Sequence, residues 1–303
     1  MKLKIYITTF CFAVLLLSCK KDIEPALPGG TAAAGVNFLA SSDVFLKYSS
    51  GGVGIFLDTV ANNKKFINSE YSSLPHFNLI DYSRQLEFPK VYLKDQGPLF
   101  LSYPAGTHRW LFSYMIADKN GLTNSPLTDL ADTSIEMGPN TETCFYLGDG
   151  PVTENTVPKY KILTIPAGKS LKVENGSVAL RLVHLSPDAD ELQCSLVKAD
   201  GSLSQETLPQ NLKYGQFTQY LMLNTKEARN NSLQLRLVSK TTGQVLIYTG
   251  IPAIEGHAYT LLVQGFQKNH QLNLPVGRNA DGTINYQNTA IEANLRALIR
   301  QIF

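Results

Sequence analysis

The sequence predicts an all-β protein of two tandem immunoglobulin-like β-sandwich domains with a short C-terminal amphipathic helix. From Val36 onward, apolar and polar residues alternate with a period of two in many short segments, which Gly, Pro, Asn and Asp separate. No long amphipathic helix is predicted between residues 35 and 285. The chain also repeats itself, and its 303 residues are enough for about two domains of ordinary size.

The N-terminus has the features of a secretory signal peptide. Lys2 and Lys4 precede an apolar run from Phe10 to Leu17, which is too short to span a bilayer. The sequence Leu16-Leu17-Ser18-Cys19 resembles a bacterial lipobox. That resemblance implies removal of residues 1–18, lipidation of Cys19 and attachment to a membrane through the lipid. The alternative is an ordinary secretory signal in which Cys19 is incidental.

Residues 19–34 are predicted to be the lipidated cysteine followed by a flexible tether, because they are polar and then rich in Pro, Gly and Ala. The stretch from Lys20 to Glu24 resembles a surface-export signal of outer-membrane lipoproteins. We therefore expect a lipoprotein of the bacterial outer membrane that is exposed on the cell surface.

The charge balance argues against a nucleic-acid partner. The chain has 27 basic and 25 acidic residues, and residues 1–18 contain two lysines and no acid. The processed chain is therefore neutral, without the clustered basic excess of nucleic-acid-binding proteins.

Three pairs of segments match each other in the same order along the chain. They predict one domain over 35–166, a short ordered connector over 167–176 and a second domain over 177–278. The pairs are Val36–Asp43 with Leu180–Asp188, Gly106–Phe112 with Asn231–Leu237, and Asn140–Gly148 with His257–Gly265.

Two motifs in the second domain resemble a known family. The stretch Val-x-Leu-Arg-Leu-Val-His-Leu-Ser-Pro-Asp-Ala from Val178 resembles the opening of the DUF4397 family of exported bacterial β-sandwich domains. The run from Glu255 to Gly265 resembles that family's closing strand. The resemblance implies a β-sandwich fold and export, without a defined activity. The first domain resembles a divergent copy with an insertion near 60–90, and it lacks the His and Pro of the opening motif.

The tail, residues 279–303, is predicted to end in an amphipathic helix. Thr289 and Glu292 have the spacing of a capping box, and five apolar residues recur at helical spacing. The helix is expected to pack on the second sandwich, or else to dock on a partner or a membrane surface. The apolar residues are Ile291, Leu295, Leu298, Ile299 and Ile302.

Cys144 and Cys194 are the cysteines that remain after Cys11 and Cys19 are assigned to the leader and the lipid. Both lie in apolar, strand-like segments of different predicted domains, so we expect two buried free thiols. A disulfide is the alternative, because an extracytoplasmic compartment permits one.

His184, Asp188 and Asp190 form the one cluster with the spacing of metal ligands. We nevertheless interpret them as a structural turn and predict no metal site, since Ser186-Pro187-Asp188 is a turn-forming triplet. A divalent metal held by the three residues is the alternative. The chain lacks the G-x-S-x-G, H-E-x-x-H, phosphate-loop and C-x-x-C motifs. We therefore expect no catalytic residue and no cofactor. A metal-dependent or hydrolytic enzyme with a site near His184 remains the second hypothesis.

The insertion over 61–90 is rich in aromatic residues among polar ones, including Phe66, Tyr71, His76, Phe77 and Tyr82. Exposed rings flanked by polar groups are typical of loops that bind sugars or peptides. The alternative is that these aromatics belong to an edge strand and its core.

Together these patterns predict a lipid-anchored, non-catalytic binding or scaffolding module of the cell envelope. Its expected partners are the membrane, through the lipid, and a glycan or an envelope or extracellular protein. A passive structural spacer is a further alternative.

Overall fold

The computed structural model describes residues 32–48, 52–58, 76–79, 87–88, 97–117, 124–168, 170–204 and 208–303. This part of the chain is mostly β-strand, with short helical turns at Val44–Tyr48 and Thr225–Glu227, so the predicted all-β sandwich class is confirmed. Within these ranges, no helix is long and apolar enough to cross a membrane.

The first half of the chain forms two sheets that enclose an aromatic core. One sheet has the order β4-β1-β8-β9, with β5 also paired to β1, and the other has the order β3-β2-β6-β7. Phe38, Trp110, Phe112 and Phe145 meet between the sheets, with the Trp110 and Phe145 ring centroids 4.7 Å apart. The strands are β1 (Ala33–Ala40), β2 (Gly52–Leu57), β3 (His76–Leu79), β4 (Glu87–Phe88), β5 (Leu101–Pro104), β6 (Gly106–Ala117), β7 (Asn124–Met137), β8 (Glu142–Asp149) and β9 (Tyr160–Pro166).

The second half forms a sheet of order β12-β10-β15-β18, a sheet of order β11-β13-β14, and a separate β16–β17 hairpin. Its core is largely leucine, including Leu180, Leu182, Leu235 and Leu261. The strands are β10 (Ser177–His184), β11 (Leu192–Val197), β12 (Leu221–Asn224), β13 (Ser232–Ser239), β14 (Val245–Pro252), β15 (Ala258–Gln264), β16 (His270–Arg278), β17 (Ile284–Ile291) and β18 (Arg296–Gln301).

The segments that match in sequence occupy equivalent places in the two halves. In the first half β1 runs parallel to β8, and in the second β10 runs parallel to β15. The middle pair of matched segments lies on β6 and β13, which are central strands of the other sheets. The sequence repeat therefore corresponds to a repeated arrangement of strands.

The predicted C-terminal helix is wrong, because the tail forms strands β17 and β18. Ile291 ends β17 and pairs with His270, whereas Ile299 lies in β18 and pairs with Leu261. β18 is antiparallel to β15 and occupies the position that β9 has beside β8. The physical reason is that β15 presents an open edge, and pairing its backbone groups outweighs a marginal isolated helix.

The two halves pack against each other through a buried apolar cluster. Cys144 and Tyr146 of β8 contact a surface formed by Val183 of β10 and Leu262 of β15. Strands β10 and β15 are buried along their whole length, because one face lies in the sandwich core and the other in this interface. Cys144 lies in this cluster and Cys194 in the core of the second half, and both are buried free thiols.

A buried arginine adds polar contacts between the halves. Arg300 of β18 donates to Asn37 Oδ1 at 2.6 Å and to the Glu87 carboxylate, both in the first half. The Arg300 side chain is 9% exposed and that of Glu87 is 20% exposed. The guanidinium therefore makes its hydrogen bonds in a site with little access to water.

Candidate functional site

The structure describes only part of the predicted aromatic loop. Cys19, Phe66, Tyr71 and Tyr82 lie outside the described residues, as do the side chains of His76 and Phe77. The backbone at 76 and 77 belongs to β3, the edge strand that pairs with β2. Ligand binding by this insertion and lipidation of Cys19 stay predictions.

His184 uses both ring nitrogens for structural hydrogen bonds. Its Nε2 lies 3.1 Å from the backbone oxygen of Asp190, and the Ser186 backbone N–H lies 3.3 Å from its Nδ1. The residue is fully buried at the end of β10, and this burial lowers the pKa of the imidazole. His184 is therefore a neutral ring that fixes the turn after β10.

Asp188 and Asp190 point to different partners. The Asp188 carboxylate accepts the backbone N–H groups of Gln267 and Lys268 at 2.8 and 2.9 Å. Asp190 accepts the Ser239 hydroxyl at 2.5 Å. The three candidate ligands do not converge, and the described ranges contain no group of three His, Cys, Asp or Glu residues placed to hold a metal. Their hydrogen bonds are those of a structural turn.

A composite surface forms where the two halves meet, and we call it the junction. It consists of the β8–β9 loop over 150–159, the turn over 265–269 and the β16–β17 hairpin. The Asn155 N–H donates to Gln271 O at 2.7 Å, and the Asn273 N–H donates to Thr156 O at 2.9 Å. A loop of the first half thus forms an isolated parallel β-bridge, Thr156 with Leu272, to strand β16 of the second half.

His270 links the two halves at the junction through hydrogen bonds to two carboxylates, one from each half. Its Nδ1 lies 2.6 Å from Glu154 of the β8–β9 loop, and its Nε2 lies 2.9 Å from Asp188. Burial opposes the imidazolium charge, but the two hydrogen-bonded carboxylates outweigh it and raise the pKa of His270. Because both ring nitrogens of His270 are hydrogen-bonded to carboxylates, neither is available to transfer a proton to a ligand.

Asp149 is a buried carboxylate at the inner edge of the junction. It accepts the Asp43 N–H at 2.7 Å and the Val44 N–H at 3.3 Å, together with the Ser42 hydroxyl. Burial raises its pKa to about 7, although these three donors favour the charged form. Asp149 thereby caps the helical turn Val44–Tyr48 from a distant strand.

Two small clefts open on either side of Val44, and residues of both halves line them. The first, of about 210 Å³, includes Asp149 and Val157 of the first half with Phe266 and Leu272 of the second. The second, of about 220 Å³, is aromatic and apolar. Clefts between domains are common ligand sites. The second cleft is lined by Val44, Phe45, Tyr48, Tyr114, Tyr160, Leu274 and Pro275.

The sequence analysis missed the residues that build the junction. Glu154 and His270 are 116 positions apart in the chain, and Asp149 lies 107 positions after the serine that donates to it. The one local signal was the alternation His-Gln-Leu-Asn-Leu at 270–274, which is typical of a strand with one buried face. The contact of that strand with a loop more than a hundred residues away has no local signature.

Comparison with known proteins adds no relative. No protein-family model matches this chain, and no curated protein matches it significantly. The resemblance to the DUF4397 family therefore stays a prediction that rests on the motifs at 178–189 and 255–265.

Proposed function

We propose that the chain is a lipid-anchored protein of the bacterial cell envelope whose tandem β-sandwiches form a non-catalytic binding or scaffolding module. In this proposal Cys19 carries the lipid, and residues 20–34 form a flexible tether between the membrane and the first sandwich. The paired sandwiches hold the junction in a fixed position for a partner. Several acyl chains are needed for firm anchoring, because a single chain gives only marginal membrane binding.

The observation that carries the proposal is that both halves build the junction. The β8–β9 loop is bonded to β16, and the two clefts are lined from both sides. The interface around Tyr146 and Leu262 holds these parts in register. Such an arrangement suits the presentation of a fixed surface, since binding residues are commonly displayed on a framework of packed strands.

The two alternatives have less support. An enzyme with a site near His184 needs ionisable side chains that converge on a cleft, whereas His184 and Asp190 are occupied by structural hydrogen bonds. A passive spacer does not require a surface built jointly by both halves. Loss of the junction contacts with full retention of phenotype would favour the spacer.

Lipid attachment is tested by metabolic labelling with an alkyne fatty acid in a bacterium that has an outer membrane. The wild-type chain is expected to incorporate the label and to fractionate with the outer membrane. Cys19→Ala is expected to lose both properties. A labelled Cys19→Ala variant, or an unlabelled wild type, would contradict the anchoring.

Surface exposure is tested by protease treatment of intact cells, with an epitope inserted at 241–242 in the exposed β13–β14 turn. The C-terminus is a poor place for the tag, because Phe303 O accepts the Ala258 N–H. Loss of the epitope while a periplasmic marker survives is the expected result. Protection until the outer membrane is breached would redirect the search to periplasmic partners.

A further inference from the structure

We propose that the outer face of the β16–β17 hairpin is a binding platform for a neutral polysaccharide, which stacks on Tyr286 and hydrogen-bonds to Asn273 and Asn288. This inference rests on the proposed binding function and names its ligand class. We call this surface the amide face. Its members are Asn155, Gln271, Asn273, Tyr286, Asn288 and Ala290.

The register of the hairpin defines the amide face. Directly paired residues in an antiparallel ladder project to the same side, as in the pairs Gln271–Ala290 and Asn273–Asn288. Tyr286 follows on β17 and is exposed, whereas its partner Pro275 is buried at the start of a bulge. The opposite side carries Leu272, Leu274 and Ile291, which are buried. The amide face therefore points away from the core.

Three amides interlock on this face. The Asn288 Nδ2 donates to Asn273 Oδ1 at 2.9 Å and to Asn155 Oδ1 at 3.1 Å, and the Asn273 Nδ2 donates to Asn155 O at 2.5 Å. These bonds hold the side chains in one orientation, so little rotamer entropy is lost when a ligand binds. Each side-chain amide has two N–H donors and an oxygen that can accept two hydrogen bonds. The three amides can therefore form further hydrogen bonds with a ligand.

Tyr286 supplies an aromatic surface beside the amides. Tyr286 is 42% exposed. Tyr286 and Asn288 are about 7 Å apart along the strand, since successive residues rise by about 3.3 Å. A ring stacked on Tyr286 would therefore place its neighbour in a chain of sugars over Asn288.

The lack of charged residues on the amide face favours an uncharged ligand. Strand β17 contains no charged residue, and the hairpin's Arg278 and Asp281 bond to the turn at Gly282 and Thr283. Glu154, next to Asn155, is held by His270. Sugar hydroxyls donate and accept hydrogen bonds as amides do, and the aliphatic face of a sugar ring packs on an aromatic ring. A charged polymer would meet no complementary charge here.

The test measures binding of the full chain, purified in mild detergent, to immobilised polysaccharides by biolayer interferometry. The neutral probes are dextran, mannan, galactan and amylopectin, and the anionic probes are polygalacturonate and heparin. We expect binding to at least one neutral probe and none to the anionic ones. Tyr286→Ala should weaken binding about tenfold and Asn288→Ala about fivefold.

Matched controls separate the amide face from other surfaces. Tyr248 is 66% exposed on β14, and Asn285 lies on β17 but alternates to the other side of the hairpin. Tyr248→Ala and Asn285→Ala should keep wild-type affinity, and all four variants should keep the wild-type melting temperature.

Three outcomes would overturn the proposal: no binding to any neutral probe, stronger binding to the anionic probes, or equal losses in Tyr286→Ala and Tyr248→Ala. Binding that survives Tyr286→Ala would refute the amide face while leaving the proposed binding function intact. A chain that binds a protein partner through this face but no polysaccharide would likewise refute only the ligand class. Failure of the anchoring experiments would refute the proposed envelope function without bearing on the amide face.

Discussion

Among single residues, Asp149 has a buried ionisable side chain whose protonation is coupled to folding. Its carboxylate is 2% exposed, and burial raises its pKa to about 7 from the ordinary value of 3.8. Because the folded pKa lies above the unfolded one, the folded state binds the proton more tightly. The contribution of this group to stability is fully present below about pH 4 and is lost as the pH rises through about 7.

The corresponding prediction compares urea unfolding of the wild type and Asp149→Asn between pH 4 and 8. The wild type should lose more stability than the variant as the pH rises across this window, because the amide does not titrate. Asp200→Asn is the control, since Asp200 lies in an exposed turn where Ser202 lowers its pKa. It should keep the wild-type slope between pH 5 and 7. Parallel curves for wild type and Asp149→Asn would contradict the raised pKa.

At the scale of elements, strand β18 pairs with β15 at the edge of the sheet of the second half. Ile302, just after the strand, is 1% exposed, whereas Leu298 is 39% exposed. In an amphipathic helix these two residues would lie on the same face, four positions apart, and would be buried alike.

Alanine substitution tests the burial of these two residues. Ile302→Ala should destabilise the protein by about 2–5 kcal/mol, because it leaves a cavity among Ala179, Ala258 and their neighbours. Leu298→Ala should change stability by less than about 0.5 kcal/mol. The free energy of unfolding in urea provides the measurement, and similar losses in both variants would contradict the difference in burial.

At the scale of the whole molecule, the interface between the halves couples their folding. Cys144, Tyr146, Val183 and Leu262 are buried together, and Arg300 reaches across to Asn37 and Glu87. Removing the guanidinium takes the charged partner away from the Glu87 carboxylate, which keeps only the hydrogen bond from Asn37 Nδ2 at 3.3 Å in a nearly dry site. Arg300→Met should therefore cost about 3–5 kcal/mol, and both halves should still unfold in a single transition.

A double-mutant cycle isolates this contact from the rest of the interface. In a Glu87→Gln background, Arg300→Met should cost about 1–3 kcal/mol less, because the buried charge is already gone. The exposed pair Arg109–Asp132, with Nη2 and Oδ2 2.5 Å apart, is the matched control. Its coupling energy should be smaller than that of Arg300 with Glu87, because water screens an exposed ion pair. Equal coupling energies for the two pairs would argue against a buried connection between the halves.

The amino-acid sequence by itself determined the all-β class, the repeat and the structural turn at Ser186-Pro187-Asp188. Period-two alternation and turn residues act over a few positions, so they can be recognised without knowing the neighbours of a strand. Only the tertiary structure decided that the tail pairs with β15 and that Glu154 and His270 meet at the junction. These outcomes depend on which strand edge is open and which carboxylate lies beside the histidine, and the contacts join residues that are distant in the chain, 32 to 42 positions apart between β15 and β18 and 116 between Glu154 and His270. The apolar residues over 291–302 have helical spacing but form no helix, because pairing with an exposed sheet edge satisfies more backbone hydrogen-bonding groups than a short helix can.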